Sequence, residues 1–121
     1  MKSIITFIHE KLKVTPNIID DDFGIQSKQD LEIIVNAIAD YVSNSAAEAD
    51  MDSSEVIEEL EANGIYYDIT RDGRTDELLE YFEFNNYKFP HITTADELEE
   101  FLERYNDDLT LMIIAYLESE M

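Results

Sequence analysis

The chain has 121 residues, enough for one domain and too few for a second independent core. It carries 29 Asp and Glu against 8 Lys and Arg, a net charge of -21, which excludes direct binding to DNA, RNA or an anionic membrane by repulsion. Hydrophobic residues make up 45% of it, too many for a disordered acidic tail, and with Cys 0 there is no disulfide framework, thiol nucleophile or thiolate zinc site.

In chain order, residues 3 to 13 place Ile4, Ile5, Ile8 and Leu12 on one helical stripe, which Thr15-Pro16 ends. Lys2, Lys11 and Lys13 make this the only basic stretch. From Asp20 onward there are 28 acids and 5 bases, so the first helix could lie against an acidic body and partly neutralise it. Its apolar run stops at His9-Glu10 with no small-residue cleavage site behind it. The most apolar run of the chain, Leu109 to Leu117, is nine residues, far short of a bilayer span. The expected location is cytoplasmic, the host cytoplasm if the protein is phage-encoded.

Asp20-Asp21-Asp22-Phe23-Gly24 reads as a loop, and Ser27 with Asp30 forms a capping box. Leu31, Ile34, Val35, Ile38, Tyr41 and Val42 follow at spacings of three and four, the clearest amphipathic helix in the chain. Ser43 to Ala49 is small and polar, a loop with some helical character. A further helix spans Ser53 to Asn63, with Val56, Ile57 and Leu60 inward and Gly64 as a left-handed stop. Ile65-Tyr66-Tyr67-Asp68-Ile69 is aromatic and β-branched, a strand or an extended linker. Asp72-Gly73 marks a turn, and Thr75 caps a helix carrying Leu78, Leu79 and Phe82 that ends near Asn85-Asn86. Tyr87 to Ile92 is extended around Pro90. Thr94-Ala95-Asp96-Glu97 is a second capping box, opening a helix with Leu98, Phe101 and Leu102 inward. Asn106-Asp107-Asp108 caps a last helix, to about Glu118, which is apolar nearly all round: the centre of a bundle, or a subunit interface. The fold class is mainly α, a single domain over residues 1–121 built as a compact bundle of about five to six helices, with at most one small β pairing of residues 65–69 with 87–92.

Few motifs suggest chemistry. Asp68 to Glu80 approaches a calcium loop, with oxygen donors at positions 1, 3, 5 and 9 and Gly at 6. Position 12 is Leu79, however, Glu80 comes one late, and Arg71 and Arg74 put positive charge inside the loop; a capped turn is the better reading. Gly64-Ile65-Tyr66-Tyr67 matches the opening of the GIY-YIG nucleases without the second element that family needs. His9 and His91 each lack a second ligand at metal spacing. No Gly-rich phosphate loop, nucleophile elbow or HExxH occurs, and among 29 acids some pair always lies at glycosidase spacing. The expectation is no enzyme, no cofactor and no metal.

The acids themselves are patterned. Glu48, Asp52, Glu55 and Glu59 follow the rhythm of three and four on one helix face, as do Asp76, Glu80 and Glu83 on the next and Asp96, Glu100, Glu103 and Asp107 on a third. Like charges at this spacing cost about 0.2–0.5 kcal/mol each, and a surface shaped only for solubility would interleave Lys and Arg. Unpaired carboxylate stripes favour a cationic partner. B-form DNA carries one charge per ~1.7 Å, so the net charge of -21 matches about 36 Å of duplex, close to the ~35 Å diameter of a globule this long. The expected partner is a basic DNA-binding protein or nuclease whose cationic cleft the carboxylates fill in place of phosphates. Halophilic adaptation fits less well, since 15 Ile and only 8 Ala, plus 7 Asn, depart from the small-residue bias expected there. An acidic immunity protein or antitoxin that neutralises a basic nuclease toxin is the main alternative, and a general acidic adaptor is a third.

Gln29-Asp30-Leu31 leading through Ile38-Ala39-Asp40, then Val56 to Ala62 running into Gly64-Ile65, resemble the Ocr-type antirestriction proteins of phage, small, helical, acidic DNA mimics. The likeness covers roughly residues 27 to 69. It implies a homodimer that blocks type I restriction enzymes. The chain departs from that family at its end, which is an apolar helix where the family carries an acidic tail.

Overall fold

The apolar rhythm from Leu31 to Ala46 builds the first helix described by the computed structural model, α1 (Lys28–Glu48); the structure describes residues 28–87, 89 and 92–120. Expectations for residues 3–13, the Asp20–Gly24 loop, the Ser27 cap, Pro90 and the two histidines lie outside those residues. Leu31, Ile34, Val35, Ile38, Tyr41 and Val42 are all buried, as their spacing requires. The helix runs on through Ser43–Glu48, where a loop was expected. Ala46 is buried among the core residues, and that packing outweighs the weak helix propensity of the Ser-Asn-Ser run.

α2 (Ser53–Thr70) begins at Asp52, whose extended backbone and carboxylate form the cap: Oδ1 accepts the Glu55 N–H at 2.9 Å. Gly64 does leave helical geometry, with φ 79° and ψ 161°, but the helix resumes at Ile65. The reason lies across the core. The backbone N–H groups freed by the kink donate to α5 (Asn106–Ser119), Ile65 to Thr110 Oγ1 at 2.8 Å and Tyr66 to Asn106 Oδ1 at 2.7 Å. Two side chains one turn apart thus cap the second half of α2 from outside it. Residues 65–69 are therefore helical, not a strand or a linker, and Ile65 and Ile69 are fully buried one turn apart. No strand occurs among the described residues, so the β pairing with 87–92 is corrected; Tyr87, Phe89 and Ile92 lie in irregular chain.

A single 3₁₀ turn, Arg71–Gly73, leads into α3 (Arg74–Phe84). Gly73, at φ 71°, occupies the cap position, while the expected cap, Thr75, is buried inside the first turn. α4 (Ala95–Arg104) starts as its sequence signals: Thr94 Oγ1 accepts the Glu97 N–H at 3.2 Å, and Glu97 Oε1 accepts from the Thr94 and Thr93 hydroxyls at 3.2 and 3.1 Å. Tyr105 alone separates α4 from α5. The five described helices make the protein mainly α.

α5 is the central helix. It makes the most extensive helix–helix contact, against α2, and the next most extensive, against α1. Leu109, Met112 and Ile113 are fully buried, with Ile114, Ala115 and Leu117 nearly so; only Leu111 shows an apolar side chain to solvent. An apolar surface nearly all round requires neighbours on nearly every side, and the bundle supplies them everywhere but at Leu111. No described helix is long and apolar enough to cross a membrane.

Candidate functional site

The bundle turns its carboxylates outward. Of the acids singled out by spacing, Glu48, Asp52, Glu55, Asp76, Glu80, Glu83, Asp96, Glu100, Glu103 and Asp107 are exposed and Glu59 is half-buried. Their grouping differs from the stripes expected. Glu48 ends α1 and Asp52 caps α2, so only Glu55 and Glu59 share the face of one helix. Asp76, Glu80 and Glu83 do lie together on α3, and Asp96, Glu100 and Glu103 on α4. Asp107 belongs to the first turn of α5, beyond the break at Tyr105. Two stripes survive, and the first becomes a run that turns a corner between helices.

These carboxylates are not equivalent. Glu55 on α2, Asp76 and Glu77 on α3, Asp96 and Glu97 on α4, and Asp107 and Asp108 on α5 occupy first turns, where the positive end of the helix dipole favours an anion by about 0.3–1 kcal/mol. Structure alone accounts for them. Glu80, Glu83, Glu100 and Glu103 lie beyond the first turn, one helical turn from other acids. The last turns of α1, α2, α3 and α5 carry no basic residue, and α4 has only Arg104 there. At Glu83 and Glu103 the dipole and the neighbouring carboxylates oppose the charge together. Those residues stand where folding disfavours them.

Glu59 is the exception among the expected contact residues. Its Oε1 lies 3.1 Å from Arg71 Nη1, inside an ion-pair network that spacing did not reveal. Asp68, nearly buried, faces Arg71 at 3.6 Å and Arg74 at 3.4 Å. Arg74 also lies over the Tyr41 ring at 5.3 Å, and Tyr41 donates from its hydroxyl to Glu77 Oε2 at 3.0 Å. The network lines a cleft of about 430 Å³ between the end of α1, α2 and the 3₁₀ turn. Burial pushes the Asp68 carboxyl above the usual carboxylate range; Arg74 draws it back, Glu59 raises it further and Arg71 lowers it. Its ion pairs join α2 to the 3₁₀ turn and to the start of α3, so this cleft is a clasp between elements. The near-calcium spacing of Asp68, Asp72 and Asp76 resolves the same way, because the first donor of the pattern is taken by two guanidinium groups.

Sequence reasoning also missed Phe84. It is 85% exposed at the end of α3, two residues from the inward Phe82 and off the apolar stripe. That offset was the available signal. Tyr116 on α5 is another: its hydroxyl donates to Asp40 Oδ1 on α1 at 3.3 Å, and burial, Asp40 and Glu120 push its pKa up to about 12. It ties α5 to α1. Among the described residues no group of three or more His, Asp and Glu is arranged to hold a metal ion. Comparison with protein-family models, with curated proteins and with solved structures finds no match to this chain.

Proposed function

We propose that this chain is a DNA-mimic inhibitor, a binding protein without catalysis that occupies the cationic DNA-binding site of a host restriction, defence or other DNA-processing protein. The observation that carries this reading is the exposed carboxylates of α3 and α4 at positions where like-charged neighbours act against them, Glu80, Glu83, Glu100 and Glu103, with the helix dipole opposing Glu83 and Glu103 as well. A charge retained against its local electrostatics has its compensation elsewhere, and a cationic cleft supplies it. The net charge of -21 supports the same reading through its duplex-like density. On binding, the carboxylates replace phosphates, and release of counterions from both surfaces favours the complex.

Competition tests it. A basic partner captured from host lysate, or a type I restriction enzyme as first candidate, is loaded with labelled duplex DNA and titrated with this protein. Displacement of the DNA, weakening steeply as salt rises, is the expected result. Binding that ignores salt, or a ternary complex in which the partner still holds its DNA, overturns the proposal.

A further inference from the structure

The outer face of α3 joins its charge to an aromatic ring. Asp76, Glu77, Glu80, Glu83 and Phe84 are all exposed. At about 100° per residue they cover roughly a third of the helix circumference, with Phe84 inside the arc and Glu80 one turn before it. Aromatic side chains on helices lean toward the N-terminus, which brings the ring down toward Glu80. A single exposed apolar residue is ordinary on a protein surface. A ring 85% exposed within a face of carboxylates is a composite feature: two kinds of group that attract the same ligand, a cation with a flat, weakly hydrated face.

The chain uses that composite internally. Each of its three arginines lies over a tyrosine ring: Arg71 over Tyr67 at 5.7 Å, Arg74 over Tyr41 at 5.3 Å and Arg104 over Tyr105 at 5.2 Å. Arg71 and Arg74 pair at the same time with the carboxylate of Asp68. Ring plus acid is thus the way this protein seats a guanidinium, and Phe84 with Glu80 and Glu83 offers the same pair of groups on the outside.

We propose that the α3 face around Phe84 is the anchor of the interaction surface and takes an arginine-bearing segment of the partner, with the guanidinium stacked on the Phe84 ring and paired with the carboxylates of Glu80 and Glu83. This rests on the mimic reading and sharpens it, because a purely phosphate-like surface would not distinguish arginine from lysine by a ring. Lysine, a compact and strongly hydrated charge, gains less from an aromatic face.

The test uses the full-length protein with an oligo-arginine peptide and an oligo-lysine peptide of equal length as probes, at matched ionic strength. The arginine peptide is expected to bind about fivefold more tightly, the size of a cation–π contact at an exposed site. Phe84→Ala and Phe84→Leu should both erase that preference, leave the lysine affinity and the salt dependence unchanged, and leave the melting temperature where it was, since the ring is outside the core. The leucine variant keeps an apolar side chain and so separates stacking from simple apolar contact. A preference absent from the parent protein, or one that survives both substitutions, overturns the anchor. If the two peptides bind equally and Glu80→Gln with Glu83→Gln weakens both, the mimic reading stands and the anchor fails. If neither peptide binds at low salt, both fail.

Discussion

Gly64 is where one residue decides the path of the chain. Its φ and ψ lie in a region that only glycine occupies without strain, and a Cβ built there would stand 2.8 Å from both Nδ2 and Oδ1 of Asn106. Asn106 has nowhere to retreat at no cost, because its Oδ1 accepts the Tyr66 N–H. Gly64→Ala therefore combines about 1–3 kcal/mol of backbone strain with loss of that cap, and chemical denaturation should show a lowered midpoint with an unchanged slope. Asn106→Ala, which leaves the glycine in place and strands the Tyr66 donor together with the long 3.5 Å contact from the Thr110 hydroxyl, should cost less, about 1–2 kcal/mol. The special conformation of Gly64 was legible from its place after an apolar helical run. That the helix restarts was not, because the groups allowing it, Asn106 and Thr110, come from a segment about forty residues away and leave no trace in local spacing. The same limit hid the ion pair at Glu59: spacing along one helix identifies which carboxylates share a face, and says nothing of an arginine arriving from the next turn.

At the scale of elements, helices with one apolar stripe could be read directly: α1 and α4 bury the side chains their spacing assigns, and α3 buries Leu78 and Phe82 with Leu79 half-buried at the edge of the core. α5 was legible for a different reason, since an apolar surface all round leaves few places to be except the middle. Ile113, fully buried there, should cost about 2–5 kcal/mol on truncation to alanine, while Leu111→Ala on the open side of the same helix should cost far less. The stripes of acid are where sequence reading reached furthest toward function and also where it blurred, because helix ends at Glu48 and Tyr105 fall inside two of the three patterns. α3 holds one pattern whole, and it carries the sharpest prediction at this scale. Glu83 sits in the last turn, where the negative end of the dipole and Glu80 both disfavour it. Glu83→Lys reverses both terms and should stabilise the free protein by about 0.5–1 kcal/mol, raising its melting temperature. The same substitution should weaken association with the cationic partner. A charge whose removal improves the fold and harms binding is placed there by binding, whereas a variant better in both respects would return Glu83 to an ordinary surface role.

At the scale of the whole molecule, pH and salt act on fold and association with opposite signs. Asp68 and Asp108 both have their pKa raised above the ordinary aspartate value of 3.8, in each case chiefly by burial, with Asp107 adding to the effect at Asp108. A carboxyl that holds its proton more tightly when folded contributes stability below its unfolded pKa, and that contribution is lost as pH rises through the folded value. Mutual repulsion within a net charge of -21 adds to the trend, since it too is relieved as carboxylates protonate. The melting temperature should therefore climb as pH is lowered from neutrality toward the ordinary aspartate value of 3.8, against the usual behaviour of proteins whose carboxylates are stabilised by cationic partners. Asp108→Asn is the cleaner probe of the local part, because Asp68 also anchors two arginines, and it should flatten the slope without breaking an ion pair. Added salt should raise the melting temperature of the free protein by screening the same repulsion over a Debye length of about 10 Å at 0.1 M. It should loosen the complex over the same range, where the carboxylates already have their counter-charges. A free protein whose stability is indifferent to salt would mean that its acids are spaced too widely to repel, and acids so spaced could not present the charge density of a duplex either.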